Sequence, residues 1–103
     1  MSAPNQRPVD IQANLEELNE QLPGYYRHYK GGLYHVKCAA FHTETKDYLM
    51  VYQHISGVVY VRPPNMFIEQ LELNAHQSIY RFRFLTGYER LQARVSFFFA
   101  NLF

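Results

Sequence analysis

LYHVKCAAFHTETKDYLMVYQHI, residues 33–55, is the stretch that decides the fold class. Two runs rich in Tyr, Val, Phe and Ile flank the polar break Thr43 to Lys46, the composition of two strands joined by a tight reversal. If the turn centres on Glu44-Thr45 and His42 opposes Asp47, paired residue numbers sum to 89. One face then carries Tyr34, Val36, Cys38 and Ala40 against Ile55, Gln53, Val51 and Leu49. The other carries His35, Lys37, Ala39 and Phe41 against His54, Tyr52, Met50 and Tyr48. The first is the more uniformly small and apolar, so it is the expected core. The second is amphipathic, suited either to a ligand or to seating another element.

Outward from this hairpin the period-2 pattern continues. Breaks at Gly31-Gly32, Ser56-Gly57, Pro63 to Asn65 and Asn74 to Gln77 leave five or six runs of strand length. That count suits a small antiparallel barrel or sandwich spanning residues 24–85. Before it, Ile11, Leu15, Leu18 and Leu22 line one face of a helix over residues 10–22, with Asp10 as N-cap and Pro23-Gly24 as terminator. A helix this short needs a surface, either the following domain or a second copy of the chain. Residues 1–9, MSAPNQRPV, read as a disordered arm. In the tail, residues 86–103, Tyr88, Leu91, Val95, Phe98 and Leu102 keep helical spacing, although Ser96 to Phe103 is nearly uncharged and apolar. A buried or dimerising helix is the preferred reading, the other being an aggregation-prone or unnatural extension.

Composition bounds the rest. At 103 residues, 48% hydrophobic, the chain closes one core rather than two, and nine Tyr and eight Phe supply large buried areas. A net charge of +1 gives no general pull toward nucleic acid or membrane. Its distribution is uneven: Asp10 to Leu22 holds acids and no base, whereas Tyr25 to Phe84 holds seven bases against four acids. The single Cys38 excludes an internal disulfide, and the N-terminus lacks a basic-then-apolar leader, so a reducing cytoplasm is the expected location. No run reaches the length needed to span a bilayer, so no membrane role is expected.

From Gly24 to Phe84 the chain resembles a family of small uncharacterised domains, domain-of-unknown-function family 1653 (DUF1653). The residues that carry the resemblance are YRHYKGGLYHV (26–36), HTET (42–45), LMVYQ (49–53), YVRP (60–63), MFIE (66–69) and RFRFL (81–85). The family commonly has Trp where Tyr60 stands, a longer connection at His54 to Val59, and Leu where Pro64 stands. The resemblance implies a compact SH3-like β-barrel. It implies no particular activity.

Several constellations are candidates for chemistry. Arg27, His28 and Lys30 precede Gly31-Gly32 and can form a cationic lip for phosphate or carboxylate, or can simply be a solvated strand and its turn. His42, Glu44 and Thr45, with Asp47, put an acid/base pair within one turn, or are ordinary turn residues. His35 and His54 oppose each other in the assumed register but lack a third metal ligand. Cys38 reads as a small buried hydrophobe. Arg62 and Arg81 can converge with Tyr52 and Tyr60 on a polar or aromatic ligand, or pair with Glu69 or Glu72. Met66 and Phe67, behind Pro63-Pro64, are expected to plug the barrel end.

No serine-hydrolase, phosphate-loop or zinc-hydrolase pattern is present, and no cofactor or metal is expected. The leading expectation is a binding or adaptor module that presents Tyr, Arg, Lys and His to a peptide or nucleic acid. The alternative is an enzyme or small-ligand domain that holds an anion through Arg and Lys near His42 and Glu44. A third expectation is a homodimer through the N-terminal helix or the tail.

Overall fold

The computed structural model describes residues 14–67 and 69–102. The expected arm over residues 1–9, Asp10 and Ile11 lie outside the described residues. Helix α1 (Leu15–Gln21) opens behind Asn14, whose Oδ1 accepts the Glu17 N–H at 3.0 Å. This Asn cap satisfies a first free amide of the described helix, while the expected cap at Asp10 lies outside the described residues.

Seven strands follow: β1 (Gly24–His28), β2 (Leu33–Phe41), β3 (Tyr48–His54), β4 (Val59–Arg62), β5 (Gln70–Asn74), β6 (Gln77–Tyr80) and β7 (Phe82–Phe84). A one-turn 3-10 helix, Pro64–Phe67, lies between β4 and β5, and helix α2 (Gly87–Ala100) closes the described chain. The molecule is mainly β and antiparallel. The expected closed barrel is not formed: β4-β3-β2-β1-β7 make one open sheet, and β5-β6 a separate hairpin.

The β2–β3 register sums to 89 from Phe41↔Tyr48 to Cys38↔Val51, then slips at Lys37 to 88 from Val36↔Tyr52 to Tyr34↔His54. An extra residue in one strand reverses the side-chain alternation. The core face therefore takes Tyr34 and Val36 from one expected face and Ala39, Met50 and Tyr52 from the other. The face expected to be the core is core only as far as Val36; beyond the bulge Cys38 turns outward and is exposed, not buried.

Helix α1 seats on this face through Leu18 and Leu22, both fully buried beside Tyr26, Val36, Met50, Phe67 and Phe82. β1 pairs with β2 only as far as Gly24↔Val36, so the next stretch of β2 lacks a strand on that side. Asn19 fills the gap. Its Oδ1 accepts the Ala39 N–H at 2.6 Å and its Nδ2 donates to the Ala39 carbonyl at 3.4 Å. The Tyr26 hydroxyl donates to the Leu22 carbonyl at 2.8 Å, satisfying the end of α1 from inside the core.

The opposite face is covered by α2. Ala93 and Phe97 bury against Leu33 and Leu85, with Tyr25 and Ile55 alongside. Tyr25 and Tyr26 thus serve opposite faces, as alternation along a strand requires. α2 is a docked helix whose other side remains in water: Tyr88, Leu91, Val95, Phe98, Phe99 and Leu102 are all exposed.

Candidate binding cleft

The β1–β2 connection is held by its own backbone: Gly31 N–H donates to the His28 carbonyl and His28 N–H to the Gly32 carbonyl, each at 2.8 Å. Gly31 has φ 105°, a conformation open to glycine at little cost. The Lys30 N–H donates to His28 Nδ1 at 3.1 Å, and the Tyr29 N–H to the Arg81 carbonyl at 3.0 Å. The last bond ties the turn to the junction of β6 and β7.

Between this turn and the hairpin lies a cleft of about 340 Å³ lined by Arg27, His28, Tyr29, Gly31, Ile79, Tyr80 and Arg83. Arg27 and Arg83 are cross-strand partners on β1 and β7, which sets two guanidinium groups side by side. Arg83 is held by both Glu89 oxygens, at 2.9 and 2.8 Å, so its charge is largely answered by α2. Arg27 donates to the Gly31 carbonyl at 3.0 Å and makes no ion pair among the described residues. Its charge acts on the Glu89 carboxylate without a direct contact. The His28 ring lies edge-on to Phe82 at 4.9 Å, and burial, then the charges of Arg81 and Lys30, hold its pKa below the ordinary imidazole value. A neutral imidazole, two phenols, an isoleucine and a guanidinium without a direct ion pair suit a flat or apolar group attached to an anion.

The other sequence candidates lie elsewhere. Tyr52 and Tyr60 stack at 5.5 Å across β3 and β4, with Tyr34 5.6 Å beyond Tyr52. Arg62 shares their face but contacts Met66 Sδ at 3.3 Å, while Arg81 pairs with Glu69 at 2.9 Å. Arg81 thus follows the ion-pair alternative and does not converge with Arg62. His42 and Glu44 sit at the far turn, where His42 Nδ1 accepts the Glu44 and Thr45 N–H groups, each at 3.2 Å. That imidazole caps a turn. Phe67 is fully buried as a plug, against the core rather than a barrel end.

His35 faces Gln53, not His54, because of the β2 bulge. It stacks on Tyr25 at 4.4 Å, while His54 Nδ1 bonds Ser56 Oγ at 2.8 Å. Among the described residues no group of three His, Cys, Asp or Glu gathers at metal-binding distance.

Arg27 and His28 are the predicted residues that line the cleft, with Lys30 and Arg81 at its margin. Tyr29, Ile79, Tyr80 and Arg83 were missed. The alternation in RFRF (81–84) signalled that Arg83 points away from the core, but only the β1–β7 pairing puts it beside Arg27.

The family profile of a protein of unknown function (DUF1653) matches residues 24–84, from the first strand to the last. The chain belongs to this family. A crystal structure of a DUF1653 protein from Bordetella bronchiseptica is similar, with TM-score 0.56 and 26% identity, covering 66% of this chain and 91% of that one. No curated protein matches the chain. The DUF1653 segment contains the five-stranded sheet, the hairpin and every wall of the cleft. α1 and α2 lie outside the match. No helix among the described residues is long and apolar enough to cross a membrane.

Proposed function

We propose that this DUF1653 chain is a non-catalytic binding module that takes a peptide or single-stranded nucleic acid into the Arg27 cleft. The supporting observation is a guanidinium that makes no direct ion pair among the described residues, set among His28, Tyr29 and Tyr80. An anion pairs with Arg27 while the attached ring or aliphatic group packs against the tyrosines. We read the architecture as an SH3-like arrangement left unclosed, and place the protein in a reducing cytoplasm, where an exposed Cys38 stays a thiol. The alternative of an anionic small molecule handled by His42 and Glu44 is the weaker, since those residues lie at the other end of the sheet from Arg27 and Lys30.

The test is fluorescence anisotropy at low salt with labelled oligothymidylate and with a labelled peptide of alternating Tyr and Glu. Binding of either probe is expected to weaken about tenfold in Arg27→Ala and in Tyr80→Ala. If neither probe binds, or both variants bind as the parent does, the reading fails.

A second copy of the chain is also proposed, and the apolar stripe of α2 favours it. Tyr88, Leu91, Val95, Phe98 and Leu102 repeat at alternating steps of three and four on the side turned from the sheet. Together with Phe99 they form a contiguous exposed apolar stripe, the kind of surface a stable interface buries at ~800 Å² per partner. Sedimentation equilibrium is expected to show a dimer that Phe98→Glu converts to monomer; a parent monomer at high concentration removes it.

A further inference from the structure

The outer strand β4 leaves one edge of the five-stranded sheet open. In the β3–β4 hairpin, His54 N–H donates to the Val58 carbonyl at 2.9 Å, and the paired residues are Gln53↔Val59, Tyr52↔Tyr60, Val51↔Val61 and Met50↔Arg62. Antiparallel ladders alternate between bonded and non-bonded pairs. Counting from the His54–Val58 pair, Tyr60 and Arg62 bond inward to β3. The N–H and C=O groups of Val59 and Val61 therefore point out of the sheet edge.

Nothing among the described residues covers that edge. β4 is the terminal strand of the five-stranded sheet, all four of its residues are exposed, and Val59 and Val61 are 53% and 57% accessible. Proteins usually guard such an edge with charge, proline, a bulge or a covering element. Here Pro63 and Pro64 come only after the strand has ended, and Val59, Tyr60 and Val61 carry no charge. The other terminal strand, β7, is three residues long and lies beside the Arg83–Glu89 ion pair.

The side chains of β4 differ between the two faces. Val59 and Val61 project to one side. Tyr60, stacked on Tyr52, and Arg62, which makes no ion pair among the described residues, project to the other. Glu44 shares a hollow with Val61, Leu49 and Ala40, hence on the valine side, so the two sides ask for different chemistry.

We propose that β4 receives an extended peptide by strand addition, with its carboxylate side chains along Tyr60 and Arg62 and its aliphatic side chains along Val59 and Val61. Alternate residues of an added strand fall on opposite faces, so a peptide of alternating acidic and β-branched residues satisfies both at once. Four backbone groups supply main-chain hydrogen bonds, and Arg62 supplies the preference for a carboxylate. This surface is separate from the Arg27 cleft and does not depend on it.

The probe is the capped octapeptide Ac-(Val-Glu)4-NH2, with Ac-(Val-Lys)4-NH2 as its counterpart, followed by hydrogen exchange of individual amides. Near saturation the Val59 and Val61 amides are expected to slow about tenfold while the Tyr60 amide, already bonded, changes little. Arg62→Glu is expected to weaken the acidic peptide about tenfold and to favour the lysine peptide. Val61→Pro removes one outward donor without touching the β3 ladder and is expected to abolish binding. Should that variant not fold, the acidic peptide N-methylated at its valines tests the same bonds on the intact protein and is expected not to bind. Unchanged exchange at millimolar peptide overturns the proposal. So does equal response to both peptides in the parent, or protection of Val59 and Val61 that grows with protein concentration alone, which would assign the edge to a second copy.

Discussion

Replacing Asn19 with alanine removes the one side chain that stands in for a missing strand. Ala39 is 7% exposed, and its N–H reaches Asn19 Oδ1 at 2.6 Å with no β1 residue opposite. Without that oxygen a buried donor is stranded, at a cost of about 1–3 kcal/mol. The longer bond from Nδ2 to the Ala39 carbonyl, 3.4 Å, adds roughly 0.5 kcal/mol. Alanine's better helix propensity returns about 0.5 kcal/mol. The last two offset each other, so the net loss is about 1–3 kcal/mol, a fall in Tm of roughly 5–15 °C for a domain of this size. Because Leu18 and Leu22 of the same helix are fully buried, the loss is expected in the global transition rather than in local fraying.

Urea denaturation followed by far-UV circular dichroism measures it, with Glu20→Ala as the exposed control on the same helix. The Ala39 amide is also expected to exchange much faster in the variant. A loss below about 0.5 kcal/mol, with an unchanged m-value, refutes the assignment of Asn19 as the partner of β2.

Two other predictions concern the body of the fold. Gly24 has φ 150°, and a Cβ there would lie 2.5 Å from Phe84 Cε1, so Gly24→Ala is expected to lose more than about 1 kcal/mol in the same urea assay. Burial, then the charge of Lys37, lowers the pKa of His35, and His28 is lowered mainly by burial. In the window between those depressed values and the unfolded value near 6.5 the unfolded chain binds more protons, so stability present above that window falls as pH drops through it. Urea midpoints at pH 7.5 and pH 5.5 are expected to show this decline, and His35→Gln to reduce it. An equal slope in the variant would detach His35 from the effect.

Much of the fold was legible because it depends on local period. The alternation in LYHVKCAAF and YLMVYQH marked two strands, the polar break between them marked the turn, and leucines at helical spacing marked α1. Tail spacing similarly marked α2, which the structure docks through Ala93 and Phe97 while Leu91, Val95 and Phe98 stay outside. The choice of face was not legible. Both sides of a small amphipathic helix can look apolar, and only the surface offered by Tyr25, Leu33 and Leu85 selects one of them.

The candidate site was half legible for the same reason. Arg27, His28 and Lys30 are neighbours in sequence, so their grouping needed no fold; Arg83 and Tyr80 join them only because β7 pairs with β1. Arg62 with Arg81 looked like partners by residue type and separated on folding, whereas His42 and Glu44 stay together in a turn at the far end of the sheet from Arg27.

What the sequence determined alone is the content of short-range order: strands with their turns, two amphipathic helices and a mildly basic β segment; the one core expected from length is instead two clusters on opposite faces of the sheet. What only the tertiary structure decided is closure, register and convergence. One extra residue at Lys37 exchanges the inner and outer faces of half a strand, and no local pattern reports it, because its energy is set by what Val36 and Ala39 meet across the core. The open sheet, the exposed Cys38 and the Arg27 cleft all follow from pairings between residues far apart in the chain.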